Sequence, residues 1–227
     1  VTMSDHQSEP DQKQHLHDLR HTTEHVLTMA MQKLYGKDKV VMAMGPATEE
    51  GFYFDFDSPA ELKISEENFA AIEAEMQKII TADLQLERVE ISIPAAKVVF
   101  AGNIYKQEWL VEIEAKKEPV TVYLMGSQDQ LAHDKAVLVE LEQRVADNKH
   151  VADTQAIEIW SFIDLCSGPH VARTSEIKAF KLLSVAGAYW HGDEKNKMLT
   201  RVYGTAFTSQ ADLDQYLWQR EEAKKRD

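Results

Sequence analysis

Two short stretches of the sequence carry side chains that could do chemistry. His21 and His25 stand four residues apart in a stretch with helical periodicity, and residues at that spacing share one face of a helix. Far along the chain, Cys166 and His170 are also four residues apart, and Gly168-Pro169 between them predicts a tight turn. If the fold joins the two stretches, three imidazoles and one thiol line a single pocket.

Such a pocket could support three kinds of chemistry. The four side chains could bind zinc, either in a closed structural site or, with three ligands and a water, in an open catalytic site. Cys166 could instead be a nucleophile that a histidine activates. In the third case no metal is bound, and imidazoles with an ammonium group orient and deprotonate a water molecule. The residues alone leave all three open.

Two other enzyme motifs are excluded. A zincin protease needs a glutamate directly after the first histidine, but His21 is followed by Thr22, and Glu24 comes two residues later. The sequence also contains no glycine-rich phosphate loop of Walker or Rossmann type. Nucleotide hydrolysis by this segment is therefore not expected.

The composition narrows the class of protein. The 227 residues carry a formal net charge of −13, which argues against binding duplex nucleic acid over a broad surface, because lysine and arginine supply most of that affinity. Contact with only the end of a nucleic acid stays open. No apolar run is long enough to span a bilayer, no secretory signal is present, and a single cysteine cannot form an internal disulfide. We therefore expect a cytoplasmic protein without a membrane partner.

Periodicity and capping residues predict five helices. Apolar residues recur at helical spacing from about residue 11 to residue 35, and Gly36 suits the C-cap. Capping residues predict the other helices at residues 65–81, at residues 94–101, as a peripheral helix within 126–153, and after Ser209. Residues 103–106 begin either a short helix or an extended segment.

Alternating, β-branched or aromatic segments predict seven strands. They lie at residues 40–44, 52–56, 84–93, 120–124, 157–163, 179–190 and 198–207. With the helices, these strands predict an α+β fold with two lobes. One is an outer lobe that holds the Ser65 helix and its neighbouring strands, and the other is an antiparallel sheet against which the histidine-bearing helix packs.

Six motifs resemble the editing region of bacterial threonyl-tRNA synthetases, and they occur in the same order. They are His21-Thr-Thr-Glu-His25, Met44-Gly-Pro46, Gly51-Phe-Tyr-Phe-Asp55, Asp164-Leu-Cys-Ser-Gly-Pro-His170, Ala186-Gly-Ala-Tyr-Trp190 and Asn196-Lys-Met-Leu-Thr-Arg-Val-Tyr-Gly-Thr-Ala206. The resemblance covers residues 15–227 and implies the two-lobed editing-domain fold that threonyl- and alanyl-tRNA synthetases share. The alanyl editing module has both four-residue pairs but resembles the remainder far less.

The resemblance implies a proofreading function. A synthetase that activates threonine also meets serine, which lacks one methyl group, and a pocket rejects a missing methyl by only about 10- to 200-fold. The family therefore hydrolyses mischarged seryl-tRNA(Thr) in a second pocket. The implied partner is the 3′ end of tRNA(Thr) carrying serine. The full-length enzyme charges tRNA(Thr) with threonine using ATP, and the resemblance implies a homodimer formed through its catalytic domain.

The resemblance also implies a role for each pocket residue. His21 and Lys106 position and polarise the attacking water, and Lys106 has no such role from its own sequence context. Asp164, Cys166 and His170 hold the amino and hydroxyl groups of serine. His25 shapes the pocket and contacts the substrate or the terminal adenosine.

Metal use divides the two related families. The alanyl relatives bind zinc with residues that correspond to His21, His25, Cys166 and His170. The threonyl editing pocket is read as working without metal, so we expect no cofactor here and keep zinc as the alternative. ATP, magnesium and zinc are expected only in the catalytic domain of the whole enzyme.

Several features depart from the family pattern. Phe54 stands where tyrosine is common, and Ser167 replaces the usual arginine, which removes a positive charge. Residues 126–153 resemble an insertion. We expect a disordered lead at residues 1–14, an editing domain at 15–207, and a linker helix at 208–227 leading towards an absent catalytic domain of a longer synthetase.

Two other functions stay open. The first is a free-standing, zinc-dependent tRNA deacylase of the alanyl type. The second is a non-catalytic module that binds tRNA or holds a structural zinc ion.

Overall fold

The first helix carries His21 and His25. The computed structural model describes residues 9–147 and 157–226, and α1 spans Glu9–Tyr35. It ends as expected at Gly36, whose φ is 95° and whose N–H donates to the Gln32 carbonyl at 2.9 Å. Residues 9–14 are helical, so the predicted disordered lead is wrong there. The remainder of that lead lies outside the described residues.

A four-stranded antiparallel sheet packs against α1. Its strands are β1 (Val41–Met42), β2 (Phe52–Asp57), β6 (Ala179–Tyr189) and β7 (Met198–Phe207), in the order β1-β2-β7-β6. Strands β2 and β7 lie against α1, and their inward side chains, such as Phe54 and Val202, share its apolar core. The predicted α+β fold with antiparallel strands is confirmed.

The helix that follows Ser65 packs beside α1. After a short 3₁₀ turn (Glu66–Asn68), α2 spans Phe69–Thr81, and its Ile72 and Met76 belong to the same core as Leu27 of α1. The prediction that this helix lies in an outer lobe is therefore wrong. Its apolar face does have the expected helical spacing, but spacing does not reveal which partner covers that face.

The second lobe is built on a three-stranded antiparallel sheet with its own apolar core. The strands are β3 (Gln85–Ile91), β4 (Val120–Gly126) and β5 (Phe162–Leu165), in the order β3-β4-β5. Strand β5 was predicted to begin near residue 157. It begins later because the backbone N–H groups of Trp160 and Ser161 donate to the Asp134 carboxylate at 2.9 Å and 2.8 Å instead of to a neighbouring strand.

Three helices complete the second lobe. They are α3 (Ile93–Val99), α4 (Ile104–Lys116) and α5 (Gln128–Ala146). The predicted peripheral helix corresponds to α5, which buries Leu131, Leu138 and Leu141 in the core of the lobe. That residues 126–153 are an insertion stays a prediction, and its last residues lie outside those described.

The last helix, α6, spans Gln210–Lys224 and lies against β6 and β7. As predicted, Ser209 caps it, since the Ser209 hydroxyl accepts a hydrogen bond from the Asp212 N–H at 3.2 Å. Leu213 is its only buried residue, which leaves most of the helix surface exposed. Among the described helices, none combines the length and apolar character needed to cross a membrane.

Candidate functional site

A cavity of about 300 Å³ lies between the two lobes. From the first lobe, α1 contributes His21, Glu24 and His25 to its lining. The second lobe contributes seven residues from α4, β5 and the turn after β5, among them Lys106, Asp164, Cys166 and Ser167. Five of the six residues predicted to form the pocket therefore line one cavity. His170, the sixth, is not among the lining residues and instead contacts Cys166 from behind.

The start of α4 places Lys106 in this cavity. The Asn103 side chain caps the helix by accepting hydrogen bonds from the backbone N–H groups of Tyr105 and Lys106, both at 3.1 Å. The same side chain donates to the Met42 carbonyl of β1 at 2.8 Å. One asparagine thus fixes the first turn of α4 and ties it to the first lobe.

The Cys166 turn is held to β4 at its base. The Cys166 N–H donates to the Thr121 carbonyl at 3.1 Å, and the Thr121 hydroxyl donates to the Cys166 carbonyl at 2.7 Å. Two residues later, Gly168 adopts a positive φ of 73° and turns the chain back towards α1.

Lys106 and Asp164 form a buried ion pair at the floor of the cavity. Lys106 Nζ lies 2.7 Å from Asp164 Oδ1, and the two side chains are 1% and 4% exposed. Burial raises the pKa of Asp164, and the Lys106 ammonium opposes that rise. The ammonium also lies 5.3 Å and 5.7 Å from the ring centres of Trp109 and Phe54. Phe54, which lacks the usual hydroxyl, therefore offers an aromatic face to the ammonium.

Hydrogen bonds define the tautomers of two histidines. His21 Nδ1 lies 3.0 Å from the Pro169 carbonyl, which can only accept, so Nδ1 carries the proton. His170 Nδ1 lies 3.2 Å from the hydroxyl oxygen of Thr22. Because that hydroxyl donates its proton to the Asp18 carbonyl at 2.9 Å, the Nδ1 of His170 is also the donor. Burial lowers the pKa of both imidazoles, so each is neutral and has a lone pair on Nε2.

Both lone pairs point at the Cys166 sulfur. Cys166 Sγ lies 3.3 Å from His21 Nε2 and 3.2 Å from His170 Nε2, and the Gly168 N–H donates to Sγ at 3.3 Å. Burial raises the pKa of the Cys166 thiol, so the sulfur keeps its proton. A single thiol proton can satisfy only one of the two imidazoles. The other Nε2 is available to a water proton or a metal ion.

His25 is the most deeply buried of the three histidines. Its Nε2 lies 3.7 Å from Glu24 Oε2 and 3.7 Å from Asp164 Oδ2. Its Nδ1 has no hydrogen-bond partner among the described residues. Burial, the neighbouring histidines and Lys106 together lower its pKa. His25 therefore stays neutral and shapes the wall of the cavity.

Glu24 is a site residue that sequence reasoning missed. It was considered only to exclude a zincin, yet it lines the cavity and is 1% exposed. Burial and the nearby Asp164 carboxyl raise its pKa. One signal in the sequence could have revealed it, since Glu24 stands three residues after His21 and thus on the same helical face.

The donor set could hold a metal ion. One ligand atom from each of His21, His25, Cys166 and His170 lies within 4.8 Å of the others. Imidazole nitrogen and sulfur donors suit zinc, and the two unprotonated Nε2 atoms beside Sγ fit that role. A second group combines Glu24, His25 and Asp164. The Lys106 ammonium already lies 2.7 Å from Asp164, so the chain supplies its own cation there.

Comparison with known proteins finds similarity to threonine–tRNA ligases. Residues 150–203 match the threonyl and alanyl tRNA synthetase second additional domain. The chain is 44% identical over 208 residues to a threonine–tRNA ligase of Thermotoga neapolitana and 46% identical over 209 residues to that of Clostridium acetobutylicum. The chain is thus similar to the part of threonine–tRNA ligases that contains this second additional domain. Each alignment covers 92% of this chain and 27% of the relative.

A third relative matches to a similar extent. The threonine–tRNA ligase of Natronomonas pharaonis is 41% identical over 214 residues, which cover 94% of this chain and 27% of that relative. The segment that matches the domain contains Asp164, Cys166 and His170. Asp164 lies in β5, and the other two lie in the turn after it, which faces α1.

The ring of His21 is expected to titrate far below the ordinary range. Burial lowers the pKa of His21 from 6.5 to about 4. Since the unfolded chain takes up this proton at a higher pH, His21 makes unfolding easier as the pH falls from 6.5 to about 4. Ring proton shifts in NMR measure the midpoint. The urea-unfolded chain provides the control, with a midpoint of about 6.5, and the same midpoint in the folded chain would contradict the burial of His21.

Proposed function

We propose that this chain hydrolyses the ester bond of seryl-tRNA(Thr). The observation that carries the proposal is one cavity in a threonyl-type editing region in which a neutral histidine, a buried ammonium and a thiol face the same space. Ester hydrolysis needs a base that is unprotonated at neutral pH and a cation or N–H donor for the developing oxyanion. His21 and Lys106 supply these two groups.

The proposed reaction begins with a water molecule beside His21. Its Nε2 lone pair accepts a proton from the water as the water oxygen attacks the ester carbonyl carbon. The Lys106 ammonium stabilises the negative charge that develops on the carbonyl oxygen, and Asp164 holds Lys106 at 2.7 Å. Collapse of the tetrahedral intermediate breaks the bond to the ribose oxygen, which takes the proton back from His21. The products are serine and tRNA(Thr).

Selection for serine is assigned to the wall beside the base. Cys166 and His25 line the cavity, and His170 supports Cys166 from behind. The thiol and the Asp164 carboxyl offer partners to the serine hydroxyl and amino groups. The extra methyl of threonine would have to fit against buried, closely packed rings, among them His25 at 5.4 Å from Phe162 between centres. Threonyl-tRNA is therefore proposed to escape hydrolysis.

The proposed partner is the 3′ end of a tRNA, and not its duplex stem. A chain with net charge −13 has too few cations to neutralise many phosphates. Exposed Ser167 stands at the cavity where the family usually has an arginine. The chain on its own is thus proposed to bind tRNA weakly. Threonine charging with ATP, dimer formation and a cytoplasmic location belong to the same proposal, as properties of a whole ligase.

The test is deacylation of seryl-tRNA(Thr) and threonyl-tRNA(Thr) by the purified chain. We expect hydrolysis of the seryl ester and a preference over the threonyl ester of at least about 10-fold, since one methyl group is worth about 10- to 200-fold in a fitted pocket. A buffer control gives the spontaneous rate for each ester. Hydrolysis of neither ester above that rate, at any concentration of protein, would contradict the proposal.

A zinc-dependent deacylase is the second candidate, and the contacts of Cys166 favour it. Three of the four side chains His21, His25, Cys166 and His170 would hold the ion, and bound zinc with an open fourth position would supply an acidified water and polarise the carbonyl. The same assay with a chelator separates the two candidates. Full activity after chelation, with no zinc in elemental analysis, supports the metal-free reaction. Loss with chelator and recovery with added zinc supports the second.

A further inference from the structure

The cavity holds one more carboxyl group than cations. Glu24 and Asp164 both line it, and Lys106 is the only lysine or arginine among the lining residues. Of the lining histidines, His21 and His25 lie beyond hydrogen-bond distance of Glu24, and His17 lies 3.6 Å from the Asp18 carboxyl. Lys106 is bound closely to Asp164. Glu24 therefore has no cation of its own in the cavity.

The Glu24 carboxyl is also weakly hydrogen bonded for a buried group. The Thr28 hydroxyl lies 3.4 Å from Glu24 Oε1 but donates at 3.0 Å to the backbone carbonyl of Glu24. The other oxygen, Oε2, lies 3.7 Å and 3.9 Å from the Nε2 atoms of His25 and His21, beyond hydrogen-bond distance. Buried carboxyl groups are normally paired, and Oε2 lacks a close hydrogen-bond donor among the described residues, which a ligand could supply.

An aminoacyl ester supplies such a donor. Its α-ammonium group is attached to the carbon next to the reacting carbonyl, so both must enter the same cavity. Glu24 stands one helical turn from the base proposed here, His21, and faces the same space. An ammonium beside the Glu24 carboxyl favours its ionised form against the burial that raises its pKa, and the two groups then form a charge-assisted hydrogen bond.

We infer that Glu24 is the counter-ion of the substrate's α-ammonium group and makes the site selective for aminoacyl esters with a free amine. This role rests on the proposed function and adds a specificity-determining residue to it. An ester whose amine is blocked by an acyl group, as in peptidyl-tRNA, carries no charge for Glu24. It therefore leaves the buried carboxyl unpaired and is hydrolysed poorly.

The test compares seryl-tRNA with N-acetylseryl-tRNA, using the intact chain and its Glu24→Gln variant. Glutamine keeps the size of the side chain and removes the charge. We expect Glu24→Gln to lower kcat/KM for seryl-tRNA by about 10- to 100-fold, the range for losing one hydrogen bond to a charged group. The slower N-acetylseryl reaction should change by less than about twofold, because no charged hydrogen bond is lost.

Glu75→Gln is the matched control. Glu75 is also a buried glutamate, but it lies on α2, pairs with Lys78 at 2.9 Å and does not line the cavity. The Glu75→Gln variant should leave the ratio of kcat/KM for seryl-tRNA to kcat/KM for N-acetylseryl-tRNA unchanged. Thermal unfolding of both variants shows whether either has lost its fold.

A binding measurement decides the role of Glu24 independently of turnover. Adenosine with serine in a 3′ amide linkage keeps the ammonium and cannot be hydrolysed as an ester. The wild-type chain should bind it more tightly than its N-acetyl form, and Glu24→Gln should remove that preference. Equal losses with both substrates and both probes would overturn the inference in favour of a purely structural Glu24. Hydrolysis of no seryl-tRNA by the wild-type chain would instead overturn the proposed function, and the binding preference would still decide Glu24.

Discussion

Replacing Lys106 by methionine is expected to lower kcat for seryl-tRNA hydrolysis by about 10²- to 10³-fold, the usual effect of removing one donor to a developing oxyanion. Methionine preserves most of the length and apolar surface of the side chain. It removes the only ammonium that lines the cavity. KM should change little, because the ammonium acts on a charge that appears in the transition state. Steady-state kinetics with seryl-tRNA(Thr) measure both quantities.

The same substitution is expected to destabilise the fold. Lys106 and Asp164 are almost completely buried, and removing one partner leaves the other charge without compensation. The expected loss in free energy of unfolding is about 3–5 kcal/mol. Urea denaturation measures it. The double variant Lys106→Met/Asp164→Asn removes both charges and should recover much of the stability without recovering activity.

A surface ion pair provides the control for these effects. Lys181 lies 2.9 Å from Glu73, but its side chain is 45% exposed. Lys181→Met should therefore cost about 0–1 kcal/mol and leave hydrolysis unchanged. If Lys106→Met kept more than about a third of the wild-type kcat in a folded chain, oxyanion stabilisation by Lys106 would be excluded, because that loss is less than 1 kcal/mol.

The elements that carry strong local signals could be predicted from the sequence. Apolar spacing and Gly36 located α1 to within a few residues, and the strands predicted at residues 179–190 and 198–207 correspond to β6 and β7. Ser209 marked the start of α6 because a hydroxyl beside free N–H groups is a local interaction. These features depend on interactions between residues that are close in the sequence, so the sequence alone is enough to predict them.

Features that depend on distant contacts could not be predicted. The start of β5 is set by Asp134, whose carboxylate lies 27 residues earlier than Ser161 along the chain. The position of α2 beside α1 depends on which apolar faces meet, and several partners would satisfy the same spacing. The sequence did not decide whether residues 103–106 are helical or extended. The capping side chain of Asn103 is held in place by its contact with β1, which the sequence does not show.

In the candidate site, too, local patterns could be predicted from the sequence and distant contacts could not. The i, i+4 spacing indicated a shared face for His21 and His25, and that face lines the cavity. Lys106 and Asp164 entered only through the family resemblance, because neither has a local pattern that indicates burial. Glu24 was missed since a glutamate on a helix is usually exposed. Its location becomes evident only when the turn after β5 covers that face of α1.

Replacing Gly168 by alanine is expected to lower the free energy of unfolding by about 2–5 kcal/mol, combining left-handed backbone strain with overpacking. Gly168 has a φ of 73°, and an added Cβ would lie 2.2 Å from the Tyr123 hydroxyl oxygen and 2.7 Å from the ring carbon that bears it. The Tyr123 ring packs 4.3 Å from that of His170, so it cannot move without disturbing the site. Urea denaturation gives the loss directly.

Substitutions at two other glycines distinguish backbone strain from overpacking. Gly192 has a φ of 70° with open space around its Cβ position, so Gly192→Ala should show the backbone strain alone, about 1–2 kcal/mol. Gly102 has neither a positive φ nor a close neighbour, and Gly102→Ala should be neutral or stabilise by about 0.4–1 kcal/mol. An equal loss at Gly168 and Gly192 would show that Tyr123 yields without cost.

In Gly168→Ala, the rate of hydrolysis should fall by more than the loss of stability explains. The turn supplies the Gly168 N–H that donates to the Cys166 sulfur and the Pro169 carbonyl that fixes the His21 tautomer. A shift of this turn therefore moves the thiol and the base together, and a misplacement of about 1 Å can cost 10²-fold in rate. Hydrolysis is measured at a temperature where every variant is folded. Gly192→Ala and Gly102→Ala should retain wild-type rates there, and a wild-type rate in folded Gly168→Ala would show that the turn does not position the base.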